Sequence, residues 1–191
     1  MKRIDVLSVG QWAHPGWLER ARPVRSERAA AQAHVELLAR YPQLTEIGAA
    51  IALPFVMRLP RPAYARLLRI GAALACARSL RRVVFAPARA ALDASVAPRL
   101  LGAIQRHARA ECDDLGVGAP LDFFNRREMT AVGLALTKRA LVDPSQGLWL
   151  ELRLPREIGE RAARYDVSGV EPELAHSLID AAWRLMGGER C

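Results

Sequence analysis

The chain has 191 residues and a mass of 21.0 kDa, enough for one domain with a self-sufficient core and no dependence on disulfides or a structural metal. With 51% hydrophobic residues, 25% charged residues and a mean hydropathy of +0.02, it lies outside the disordered and integral-membrane classes. The formal charge of +8 is the compositional anomaly, and only two of its 28 basic residues are lysine.

In chain order, residues 1–25 read as an extended lead-in and 26–191 as one helical domain. Alanine occurs 34 times and apolar residues recur at spacings of three and four. The expected fold class is therefore mostly α, a compact multi-helix domain with at most one short strand-like segment. In the lead-in, His14, Pro15, Gly16 and Trp17 form a His-Pro-x-Trp element just after Trp12. Proline stiffens the backbone there, and Trp17 with Leu18 either plugs the segment against the helical body or meets a partner. His14 and Trp17 are thus candidate anchors and candidate interface residues. Ser26 is an expected N-cap for a helix that stops before Pro42, with Ala31, Val35 and Leu38 on one face. A second piece, Leu44 to Leu53, places Leu44, Ile47 and Ile51 together and is halted by Pro54. The uncharged run there, Ile47 to Met57, has 11 residues against the roughly 20 that a membrane span needs.

Pro60 and Pro62 punctuate a connector, after which the most periodic stretch begins. Leu67, Ile70, Gly71, Leu74 and Ala75 form one apolar stripe, with Arg66, Arg69 and Arg82 toward the other side. Between Arg58 and Arg109 there are eleven arginines against one acid, Asp93, a balance of +10; the rest of the chain holds 17 bases and 19 acids and nets −2. Such a block is either a solvated basic face or a field that recruits an acidic protein, anionic lipid or nucleic acid. Arg66, Arg69, Arg78, Arg81 and Arg82 are its candidate interface residues. Tyr64 and Phe85 are its only aromatics, a poor stacking platform for single-stranded nucleic acid.

Pro87 and Pro98 suit first-turn positions of short helices over 87–95 and 97–110, and Cys112 to Pro120 reads as a loop. Asn125 followed by Glu128 is a capping-box pattern opening a helix to about Val142, with Met129, Val132, Leu136 and Ala140 inward. Leu148 to Leu154 alternates leucine with Trp149, Glu151 and Arg153, the single strand-like period of two. Pro155 starts a short helix to about Arg164. Pro172 starts the last one, with Leu174, Leu178, Ile179, Ala182 and Leu185 toward a core and Gly187 and Gly188 at its end.

Patterns for chemistry are sparse. His14, His34, His107 and His176 are far apart, and His107 with Glu111 lacks a third ligand, so no metal is expected. Asp113 and Asp114 precede a Gly-x-Gly turn, but no strand leads into it and no Gly-Lys-Ser or Gly-Lys-Thr follows. No Gly-x-Ser-x-Gly elbow occurs, and Cys112 with His107 is a local coincidence. The expectation is a protein with no catalytic residues, no cofactor and no small-molecule substrate. Three cysteines at 76, 112 and 191 without Cys-x-x-Cys spacing suit a reducing compartment, and no secretory leader pattern opens the chain, so cytoplasmic residence is expected.

The His-Pro-x-Trp lead-in, the Leu-x-x-Gly-Ala-x-Leu helix (Leu68, Gly71, Ala72, Leu74) running into Leu80-Arg81-Arg82-Val83-Val84, then Arg153-Leu154-Pro155 and a terminal helix with Trp183 resemble the SctK (YscK, PscK) family of type III secretion systems. The resemblance spans about residues 10 to 186. It departs at Val84, where isoleucine is the expected residue, and over 1–10 and 110–126. It implies a non-enzymatic cytoplasmic adaptor of the sorting platform, peripheral to the inner membrane, joining the SctQ-type pod protein to the cytoplasmic domain of the SctD-type ring protein. The arginine block would then face an acidic partner or the anionic inner leaflet. The alternative, a basic helical nucleic-acid-binding protein, has no helix-turn-helix pattern with a polar recognition face to support it.

Overall fold

A computed structural model describes residues 13–18, 26–46, 56, 59–116, 124–141, 143 and 146–187. Among them the elements are a 3₁₀ turn at Pro15–Trp17, α1 (Glu27–Arg40), α2 (Gln43–Glu46), α3 (Arg61–Ala75), α4 (Ala77–Arg81), α5 (Ala86–Val96) and α6 (Pro98–Gln105). A 3₁₀ turn at Ala108–Glu111 follows, then α7 (Arg126–Arg139), α8 (Gly147–Leu152), α9 (Arg156–Ala162) and α10 (Pro172–Leu185). The fold is mostly α, and no strand occurs among the described residues.

The centre is the pair α3 and α7, with α10 laid across both, α9 on the outer side of α7, and α5 and α6 on α3. The expected stripe Leu67, Ile70, Gly71, Leu74 and Ala75 is wholly buried, and so are Leu68, Ala72 and Ala73, so α3 is enclosed on more than one side. Gly133 makes the crossing possible. A Cβ at that position would overlap the backbone of Leu68, carbonyl included, so the two helix backbones touch where α7 has no side chain. Gly71 plays a milder part against α10, where an added Cβ would sit 2.9 Å from the Ile179 Cδ1 atom.

The caps form as the residue types dictate. Ser26 Oγ accepts the Ala29 amide at 3.2 Å, and Asn125 Oδ1 accepts the Glu128 amide at 2.9 Å. Gly187, at φ +83, takes the left-handed position that follows α10. Four expectations are corrected. Leu148 to Leu154 is not a strand: residues 147–152 are helical, with Trp149, Leu150 and Leu152 buried and Leu148 partly exposed. A lone strand would leave its backbone amides without partners, and the helix satisfies them internally while burying the tryptophan. Helix α1 buries Ala30, Ala33, His34 and Leu37, whereas Ala31 is exposed and Val35 is 65% exposed, so its inward face is turned from the expected one. An alanine-rich helix offers several faces of similar hydrophobicity, and packing selects among them. The long stretch after Pro62 breaks at Cys76, where φ −115 and ψ 27 separate α3 from α4. The expected 97–110 helix ends at Gln105 and resumes only as a 3₁₀ turn. Of the second piece, Leu44 to Leu53, only residues up to 46 lie within the described chain.

Candidate interaction surface

The His-Pro-x-Trp element closes the body of the molecule. His14 Nδ1 accepts the Gly16 amide at 3.0 Å and so caps the turn, and the His14 amide donates to the Leu152 carbonyl at 2.5 Å. Trp17 is 6% exposed; its indole N–H donates to the Leu154 carbonyl at 2.7 Å and its ring meets Tyr41 edge-on at 5.8 Å. Arg61 donates to the Ala13 carbonyl at 2.6 Å. Burial, and after it the charge of Arg61, hold the His14 ring below its ordinary pKa. Both residues are placed to clamp the lead-in onto the segment after α8, and the Trp17 ring faces inward.

Arg153, on that same segment, is 4% exposed and carries a buried charge. Its guanidinium donates to the Val56 carbonyl at 2.9 Å and to the Leu59 carbonyl, and lies 4.7 Å above the Tyr64 ring. Burial lowers the Arg153 pKa and pushes the Tyr64 phenol strongly up. Arg153 therefore ties Val56 and Leu59 to α3 through Tyr64.

Arg58 lies outside the described residues, and the other ten arginines of the block divide into three groups. Arg61, Arg69 and Arg109 donate to carbonyls of Ala13, Ser95 and Asp113. Arg78, Arg81 and Arg89 face the carboxylates of Asp113, Glu111 and Asp93. Arg66, Arg82, Arg99 and Arg106 have no ion pair among the described residues, and all four are exposed. Of the five expected interface arginines, Arg66 and Arg82 thus remain available, Arg69 is half-buried and engaged, and Arg78 and Arg81 are paired within the chain. Extended by only five residues, to 114, the basic block gains Glu111, Asp113 and Asp114 and drops from +10 to +7.

Those three acids are the work of the 109–115 segment. Asp114 accepts the amides of Arg78 and Ser79, both at 3.0 Å, and so caps α4 from 35 residues away. Leu115 donates to the Ala75 carbonyl at 3.0 Å, and Arg81 Nε donates to the Gln105 carbonyl at 2.6 Å while Gln105 Nε2 returns to Leu80 at 3.0 Å. His107 and Glu111 do not act together: His107 Nδ1 caps the Ala108–Glu111 turn through the Arg109 amide, and Glu111 faces Arg81. Cys76 is buried, with its thiol pushed up to about 12, and Cys112 is exposed. Glu128 receives Arg161 and Tyr165, and Lys138 meets Glu151 at 2.5 Å, so these charges bind helix to helix. Among the described residues no three of His, Cys, Asp and Glu cluster as a metal site, and no helix is long and apolar enough to cross a membrane.

Sequence reasoning missed the most exposed apolar feature among the described residues. Val84 is 90% and Phe85 69% exposed, and Ala86 and Pro87 beside them are also exposed. The signal was present as an uncharged run, 83–88, set between Arg81-Arg82 and Arg89. No protein-family model, curated protein or solved structure matches this chain.

Proposed function

We propose that the chain is a non-enzymatic cytoplasmic adaptor of a type III secretion sorting platform, holding the SctQ-type pod protein to the cytoplasmic domain of the SctD-type ring protein. One observation carries the reading. The sequence elements that resemble the SctK family, far apart along the chain, pack into one unit. Trp17 of the lead-in donates to Leu154, Arg153 lies over Tyr64 of α3, and Gly71 of α3 faces Ile179 of α10, the helix that carries Trp183. A joint resemblance of residues that meet in space is supported by one packing arrangement rather than by several unrelated helical patterns. In this role the clamp of His14 and Trp17 keeps the body rigid, and exposed Arg66 and Arg82, with Arg99 and Arg106, steer it toward an acidic partner.

The test is co-purification of the tagged chain from its native host, with mass spectrometry of what survives nuclease treatment and a moderate salt wash. Recovery of SctQ-type and SctD-type proteins is the expected result. Recovery of nuclease-sensitive material alone overturns the reading in favour of a basic nucleic-acid-binding protein.

A further inference from the structure

The corner between α4 and α5 exposes four consecutive apolar residues, Val84, Phe85, Ala86 and Pro87. Soluble chains avoid such runs unless something uses them. The corner is braced: Val83 packs against the core, and the Phe85 carbonyl accepts the Arg89 amide at 3.0 Å to begin α5. Two cations adjoin it. Arg82 precedes it without an ion pair among the described residues, and Arg106 follows α6, whose end is hydrogen-bonded to the end of α4 through Gln105, Leu80 and Arg81. Glu111, held by Arg81, is the acid at this end.

We infer that this corner inserts into the surface of an anionic lipid bilayer, with Val84 and Phe85 entering the headgroup boundary and Arg82 and Arg106 against the lipid phosphates. Charge selects the partner, since cations with no ion pair among the described residues, beside an apolar tip, match a negative surface. Size selects lipid over protein. An aromatic side chain buries about 150–250 Å², whereas a stable protein interface takes about 800 Å² from each partner. A tip of four residues with one aromatic falls short of that area, but lipid flows around it and needs no matching surface. A second copy of the chain would bring like charges together at the same corner. The inference deepens the expectation that the arginine block faces the anionic inner leaflet, and vesicle binding tests it separately from recovery of the secretion proteins.

The test is co-sedimentation of the full chain with vesicles of phosphatidylglycerol and phosphatidylethanolamine, and with vesicles of phosphatidylcholine alone. Binding to the anionic vesicles is expected, with partitioning onto the neutral ones at least about tenfold weaker. The double variant Val84→Ser, Phe85→Ser should lose at least about tenfold of the anionic binding, as the transfer of two apolar side chains predicts. Both positions are exposed, so the variant is expected to keep the thermal midpoint of the parent, and circular dichroism checks this. Arg82→Glu should weaken binding, whereas Arg99→Ala should do so much less. No binding to either vesicle, equal binding to both, or binding unchanged in a folded double variant overturns the inference. A dimer in solution that the double variant abolishes also overturns it, and assigns the corner to a second copy.

Discussion

His14 works through an unprotonated ring, because Nδ1 must keep its lone pair to accept the Gly16 amide. Burial and Arg61 lower its pKa in the fold below the ordinary 6.5. Above that pH the ring is neutral in both states and contributes no pH dependence. As pH falls through 6.5 the unfolded chain takes up the proton first, so the fold loses stability until the ring protonates in place. Between pH 7 and pH 5, the urea midpoint of the parent should therefore fall further than that of His14→Asn, whose amide oxygen caps without titrating; equal slopes would reject this role. The other histidines are common to both proteins and cancel in the comparison. The sequence left His14 and Trp17 open as an anchor or as a partner contact, and the burial of Trp17 against Leu154 and Tyr41 decided for the anchor. Their receptors were not legible: Trp17 and Leu154 are 137 residues apart, and a carbonyl oxygen has no side-chain signature.

At the scale of the element, the crossing of α3 and α7 turns on Gly133. Helix propensity favours alanine over glycine by about 1 kcal/mol, yet a Cβ there meets the Leu68 backbone, which cannot rotate aside. Gly133→Ala is expected to destabilise by roughly 1–3 kcal/mol or more, the cost of overpacking, and Gly71→Ala by clearly less, since the flexible end of Ile179 can move. Denaturant midpoints of the two variants check the order, and a stabilised Gly133→Ala would refute the close approach. Caps were readable because they depend on residues three apart. The α4 cap was hidden because Asp114 reaches it from another part of the chain, and the 148–154 alternation misled because a period of two also occurs in a short, largely buried helix.

At the scale of the whole molecule, the basic block is partly internal. Surface ion pairs contribute about 0–1 kcal/mol each, so their main effect is to cancel charge. Under the proposed adaptor role, Arg66→Glu with Arg106→Glu should slow association with the pod and ring proteins at low salt while leaving the thermal midpoint unchanged. Arg78→Glu with Arg81→Glu sets like charges against Asp113 and Glu111 and should lower the midpoint by about 2–4 °C, as a loss of about 1 kcal/mol does in a chain of this size. If the second pair affected association alone, the intramolecular pairing would be wrong.

Composition, periods of three and four, proline positions and capping residues by themselves determined that the described chain is mostly helical, where α1, α5, α7, α9 and α10 start and stop within a few residues, and that α3 carries the core stripe. These are local properties, written within a few turns of chain. Only the tertiary structure decided which face of an alanine-rich helix turns inward, which arginines meet carboxylates, and that Val84 and Phe85 stand in solvent. Each of those depends on what another segment brings to the same place, and neither hydrophobicity nor charge along the chain states which segment that is.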